Sequence, residues 1–219
     1  AASLGLCICA AVVAVLLLAR TSGTPTPDVE LPAAAPLYEE SFEAQSGWDV
    51  YDDEDTWAAY AEGGYRLGVR RADYITWGNP EDLPQFADFR IEVDARQVEG
   101  PLDNNLGVLV RYQGDDDNFY WFQISSDGYY SVDLYHQGEF VNLVAWEPSP
   151  AINQGLEATN RVRVVCLGEQ FSFYANGVHL VDVTDATLSS GTVGLAAGTF
   201  DEPGTVIHFD NLVIRTLAP

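Results

Sequence analysis

Residues 191–214, GTVGLAAGTFDEPGTVIHFDNLVI, constrain the fold more than any other stretch of this chain. Two alternating runs flank a Pro203-Gly204 turn, and the second closes on Phe209-Asp210-Asn211. Successive side chains of an extended chain point to opposite faces. Val193, Leu195 and Ala197 therefore share one face, and Gly194, Ala196 and Gly198 share the other. A face made of such small residues is one that another backbone or a ligand approaches closely. The pattern reads as the closing hairpin of a β-sandwich.

The same alternation recurs upstream, from Leu37–Phe42 and Gly64–Arg70 through Phe119–Ser125 and Arg161–Leu167 to Thr205–Leu217. Turn dipeptides punctuate it: Gly63-Gly64, Asp127-Gly128, Gln137-Gly138 and Asn176-Gly177. Asn176-Gly177 is the strongest hairpin signal, because a tight type I′ turn needs positive φ at both central residues. No stretch of the globular part sustains a 3.6-residue apolar period, and one turn of helix near Pro80–Phe86 is the most it allows. The expectation is an all-β, antiparallel sandwich of jelly-roll type over 37–219.

The N-terminal residues differ in kind. Leu4–Ala19, LGLCICAAVVAVLLLA, is apolar and uncharged, and residues 1–19 as a helix would be about 28 Å long, close to a bilayer's hydrocarbon thickness. Ala19-Arg20-Thr21-Ser22-Gly23 makes a poor signal-cleavage site. A transmembrane anchor helix is expected over 1–20, followed by a Thr/Pro-rich spacer over 21–36. Ala10, Ala11 and Ala14 give that helix a small-residue packing surface for partner helices. A Lys-free acidic domain behind such a spacer is expected on the extracytoplasmic side.

Charge narrows the partners. The net charge of −23 arises from 33 acidic and 10 basic residues, all of the latter Arg. Such a surface repels nucleic acid. Cys7, Cys9 and Cys166 have no spacing that suggests a disulfide or a metal site.

Several segments together resemble a known family: Glu40-Ser41-Phe42 with Gly47-Trp48, Gly63–Leu67 (GGYRL), Asp88–Val93 (DFRIEV), Gly107–Tyr112 (GVLVRY), Asn118–Ile124 (NFYWFQI), Tyr174–Gly177 (YANG), Gly191–Leu195 (GTVGL) and Phe209–Ile214 (FDNLVI). Over 37–217 the chain resembles the concanavalin/laminin-G-like jelly rolls, especially the group related to the 3-keto-disaccharide hydrolase domain. The resemblance implies carbohydrate-binding, glycan-processing and adhesive roles alike. It also implies a structural Ca²⁺ between the first and last strands, which would involve Glu43 and Asp210; no other cofactor is expected. Asp52–Asp55 and Asp115–Asn118 are further acidic loops, without EF-hand spacing.

Candidate chemistry is sparse. Glu92 and Asp94 share a strand face as the glucanase E-x-D motif does, but Gln97 and Val98 stand where the third carboxylate belongs. His136, His179 and His208 lack metal spacing, and no G-x-S-x-G, H-E-x-x-H or P-loop occurs. A polar-aromatic sheet face is the better candidate. With Tyr120, Phe122 and Ile124 in the core, alternation places Trp121 and Gln123 on the opposite face, with Asp133 and Tyr135 from the next strand. Arg111 is expected beside them and Trp146 at the rim. Aromatic rings take the C–H face of a sugar, and planar polar groups take its hydroxyls. The expected function is a membrane-anchored, non-catalytic carbohydrate-binding or adhesive module. An accessory subunit of a larger membrane complex is the alternative, and a glycoside-hydrolase-like enzyme a third reading.

Overall fold

The computed structural model describes residues 35–114 and 117–217. The anchor expected over 1–20, and all but the last two residues of the spacer expected over 21–36, lie outside them. So do Asp115 and Asp116 of the second acidic loop. Among the described residues no helix is long and apolar enough to cross a membrane.

Strands dominate the described residues. The first are β1 (Pro36–Glu40), β2 (Tyr51–Asp52), β3 (Thr56–Ala61), β4 (Gly64–Val69) and β5 (Ile75–Gly78). There follow β6 (Phe89–Glu99), β7 (Asn105–Gln113), β8 (Asn118–Ser125), β9 (Tyr129–His136) and β10 (Glu139–Pro148). The last are β11 (Asn160–Leu167), β12 (Gln170–Ala175), β13 (Val178–Thr184), β14 (Thr192–Gly198) and β15 (Thr205–Arg215). One sheet runs β13-β12-β11-β6-β15-β4-β3-β2, with β1 also on β15, and a six-stranded sheet runs β10-β9-β8-β7-β14-β5. Neighbouring strands pair antiparallel throughout. The expected sandwich is what forms.

Alternation builds the core between the sheets. Leu67, Ile91, Val93, Ile207 and Phe209 face inward from the larger sheet, against Val108, Tyr120, Phe122 and Val132 from the smaller one, all fully buried. Ring contacts cross the gap, with Tyr120–Phe171 centroids 4.6 Å apart and Phe122–Phe173 edge-on at 5.5 Å. Burying one such Phe contributes about 1.5–3 kcal/mol. At the β12–β13 turn Asn176 and Gly177 both take positive φ, 52° and 79°, as the dipeptide requires.

Tertiary context decides two stretches that the local pattern left open. No helical turn forms at 80–86; Trp48 bridges Pro80, and Phe86 exchanges backbone hydrogen bonds with Gly191 (2.8 and 3.1 Å). β3, with sequence TWAAYA, is a strand that alternation does not announce. Its alanines carry little face preference, and pairing with β4 decides it.

The larger sheet's outer face holds a buried histidine. His208, 2% exposed, accepts a 3.2 Å hydrogen bond at Nδ1 from Arg66 Nε. Gly64 makes room for it, since a Cβ there would stand 2.4 Å from the imidazole. Burial first, then the Arg96 and Arg66 charges, hold its pKa below the ordinary 6.5, while Asp210 and Glu157 oppose them. The unfolded chain therefore takes up a proton near pH 6.5 that the folded state refuses. Stability should fall as pH drops through that value and continue to fall until the lower folded pKa is reached. A single proton accounts for at most about 1.4 kcal/mol per pH unit. Urea unfolding of the parent and His208→Gln at pH 7, 6 and 5 should show this acid loss reduced in the variant.

Candidate functional site

The outer face of the six-stranded sheet assembles the site from cross-strand pairs. In register, Trp121 lies between Leu109 and Asp133, Gln123 between Gly107 and Ser131, and Phe119 opposite Tyr135. β10 extends the rows by pairing Asn142 with Asp133 and Phe140 with Tyr135. Partners in such rows have Cβ atoms about 5 Å apart, so their side chains must meet.

Two bands result. The first is polar: Asn105 Nδ2 donates to Gln123 Oε1 at 2.6 Å, and Gln123 Nε2 donates to Asp133 Oδ2 at 2.6 Å and Ser131 Oγ at 3.3 Å. From the other side Asn142 Nδ2 donates to Asp133 Oδ1 at 2.7 Å. Both carboxylate oxygens are thereby held by amide donors. Burial nevertheless pushes the Asp133 carboxyl above its ordinary value, the donors from Asn142 and Gln123 opposing the rise. The second band is aromatic, with Phe119–Tyr135 centroids at 5.2 Å, Tyr135–Phe140 at 4.7 Å and Trp77–Phe119 at 5.5 Å. Tyr112 stacks on Phe119 and donates its hydroxyl to Asp117 Oδ1 at 2.7 Å.

The small residues of β14 have a specific use. A Cβ on Gly198 would stand 2.3 Å from Asn105 Oδ1, and one on Gly194 would stand 2.6 Å from the Asn79 amide nitrogen. Ala196 packs in the cluster of Leu109, Phe119 and Trp121. The close approach along this face, expected from a backbone or a ligand, is made instead chiefly by neighbouring side chains. Gly198 lets the Asn105 end of the polar band lie across the sheet.

Of the expected site residues, Trp121, Gln123, Asp133 and Tyr135 come together on this face. Trp121, only 2% exposed, forms the floor rather than a platform. Its Nε1 and Asn105 Oδ1 are buried without a partner. Each such group costs about 1–3 kcal/mol, a cost accepted most readily at functional sites. Trp146 lies near the far end of the face, edge-on to Phe200 at 5.9 Å.

Arg111 is not on the face. β7 bulges between Val110 and Gln113, and Arg111 takes φ 54°, which turns its side chain toward the interior. Its guanidinium donates to the carbonyls of Leu188, Ala87 and Gly168, and lies 4.6 Å from the Phe171 ring centroid. It is a structural clamp joining three loops. Simple alternation cannot foresee a bulge, which shifts every later side chain by one.

Glu43 is exposed, Asp210 Oδ1 accepts the Asn211 amide at 2.7 Å, and no group of three or more acidic, His or Cys side chains placed to hold a metal occurs among the described residues. Glu92 and Asp94 are ion-paired on the opposite sheet, both to Arg161 at 3.2 Å. Sequence reasoning missed Asn105, Asn142, Trp77, Tyr112 and Phe140. Asn105 and Asn142 share strand parity with Leu109 and Phe140, but only the pairing brings them to Gln123 and Asp133.

An antiparallel sandwich of two sheets, one of them carrying this polar and aromatic outer face, is a protein of the jelly-roll class. The chain is a member of the 3-keto-alpha-glucoside-1,2-lyase-like domain family, whose pattern matches residues 42–215. No curated protein matches it in sequence. Among solved structures it is similar to the carbohydrate-binding module CBM66 from Bacillus subtilis, with TM-score 0.62 and 16% identity over 78% of this chain and 96% of that one. It is also similar to the Crh5 transglycosylase, at TM-score 0.58 and 11% identity over 90% of this chain and 89% of that one. A lichenase from a mouse hindgut metagenome gives TM-score 0.57 and 11% identity over 82% and 99%. At such identities the likeness is one of fold.

These comparisons correct one expectation. A non-catalytic module does not stand against a family described by a lyase, with a transglycosylase and a lichenase among the similar folds. The expectation rested on missing motifs, and motif absence is weak evidence where a fold hosts many chemistries.

The geometry gives Trp121 and Arg111 structural places. Trp121→Ala and Arg111→Met should each lower unfolding free energy by roughly 3 kcal/mol or more. Denaturant titration followed by aromatic fluorescence measures this. An unchanged midpoint for either variant would contradict its assigned place.

Proposed function

We propose that the chain is a carbohydrate-active domain that binds a saccharide on the outer face of the six-stranded sheet and acts on a 3-keto-glucoside by elimination, with Asp133 as the base. The family description supplies the substrate class. In such a sugar the C3 ketone acidifies the C2–H bond. A base removes that proton, the freed electron pair forms the C1=C2 bond, the C1–O bond to the aglycone breaks, and the departing oxygen takes up a proton.

The observation that carries this reading is the placement of Asp133, half-buried, oriented through both oxygens and flanked by aromatic rings. Its raised pKa makes it a better proton acceptor at working pH than an ordinary carboxylate. Gln123 and Asn142 are positioning residues. Tyr135 and the exposed Phe140 supply apolar surface for the C–H face of the ring. The apolar run Leu4–Ala19 supports a domain held at a membrane, and the Thr/Pro-rich spacer with the Lys-free acidic domain supports the extracytoplasmic side.

Aglycone release from an aryl 3-keto-α-glucoside tests the reading. Asp133→Asn should lower kcat by about 100-fold or more while KM changes only a few-fold. Parent activity should fall as pH drops through an apparent pKa above 3.8, because protonated Asp133 cannot act as base. Full activity in Asp133→Asn, or no turnover by the parent, would sink the proposal.

A further inference from the structure

The hydrogen-bonded line of Asn105, Gln123 and Asp133 borders a cleft of about 240 Å³ between Asp103, Ser125, Asp127, Tyr129, Trp146 and Phe200. Strand register makes them neighbours. Ser125 pairs with Asn105 and lies two residues beyond Gln123 on the same face of β8. Tyr129 lies four residues from Asp133 on the same face of β9, about 13 Å along the strand. In β10, Val144 pairs with Val132 and Glu147 with Tyr130, which leaves Ala145 and Trp146 opposite Ser131. Ser131 Oγ accepts a 3.3 Å hydrogen bond from Gln123 Nε2, so Trp146 enters at a row that the polar band already occupies.

The lining decides what the cleft accepts, and it is almost wholly apolar. Trp146 and Phe200 pack edge-on, with centroids 5.9 Å apart at 81°, and each holds the other in place. Ser125 Oγ donates to Asp127 Oδ1, so these two polar groups are already partnered. A sugar placed there would bury hydroxyls against walls that offer few partners, which costs free energy. An apolar group gains from the same burial. The size suits one ring, since a cavity of about 150 Å³ already takes benzene.

The chemistry proposed for Asp133 fixes what must lie nearby. Elimination takes the proton from C2 and breaks the C1–O bond, so the aglycone departs from the carbon next to the one that loses its proton. Tyr135 and its partner Phe140 lie on one side of Asp133, and the cleft opens on the other. A pyranose over Asp133 with C1 directed along β9 toward Tyr129 delivers its aglycone to the cleft. We infer that this cleft is the aglycone subsite and takes an apolar, ring-sized group such as an aryl ring. The subsite rests on the saccharide reading above and adds to it the class of leaving group.

Glucosides without the C3 ketone cannot eliminate and report binding alone. In calorimetric titrations phenyl α-glucoside should bind about tenfold more tightly than methyl α-glucoside or maltose. Trp146→Ala should remove most of that preference and leave the affinity for methyl α-glucoside unchanged. Tyr129, 39% exposed, gives a second variant. Tyr129→Ala should keep the parent's melting temperature and weaken phenyl α-glucoside about threefold. Asp133→Asn should retain the aryl preference while losing turnover of 3-keto-glucosides, which separates the subsite from the elimination chemistry. No binding of phenyl α-glucoside at millimolar concentration, equal affinity for the methyl glucoside, maltose bound as tightly, or a full preference kept by both ring variants would each overturn it. Turnover of 3-keto-glucosides by the parent would stand apart from any of these results.

Discussion

Strand β8 is buried at every position from Asn118 to Ser125, and the rest of the molecule depends on that double burial. Tyr120, Phe122 and Ile124 fill the core while Phe119, Trp121 and Gln123 form the floor of the opposite face. A shift of one residue would exchange the two sets. It would place Gln123 among phenylalanines and lift Phe122 into a polar band, with penalties on both faces at once. A strand open to water on one side has far weaker protection against such a slip.

The site inherits its precision from this register. Asn105, Gln123, Asp133 and Asn142 come from four consecutive strands of the sheet, yet their amides and carboxylate form one hydrogen-bonded line. Each member is fixed by ladder pairing before it meets its neighbours. The Asp133 carboxylate is therefore oriented without depending on loop order. Bulges are where the sheet departs from regularity, and each departure has a consequence. The one in β7 turns Arg111 inward to tie three loops together, and those in β10 re-aim the strand around Trp146.

Much of the fold was legible because period-two alternation and turn chemistry are local signals. Strand runs such as Gln170–Ala175 and Val178–Thr184, and the Asn176-Gly177 turn between them, stand as the residue pattern implies. About half the site was legible too, since parity alone put Trp121, Gln123, Asp133 and Tyr135 on one face. Arg111 was misplaced because nothing in GVLVRY marks a bulge. Asn105 and Asn142 were missed because their importance lies in what stands opposite them.

The sequence by itself determined a two-sheet jelly roll, its strand faces and an acidic surface, all set by residue type, alternation and turn dipeptides. Only the tertiary structure decided which strands lie side by side. That choice made the small face of β14 a bed for the Asn79 and Asn105 side chains, and it set the proton affinity of Asp133. It also brought Phe200 beside Trp146, from a loop more than 50 residues away. Cross-strand neighbours, burial and desolvation are properties of pairs distant in the chain, and no local pattern carries them.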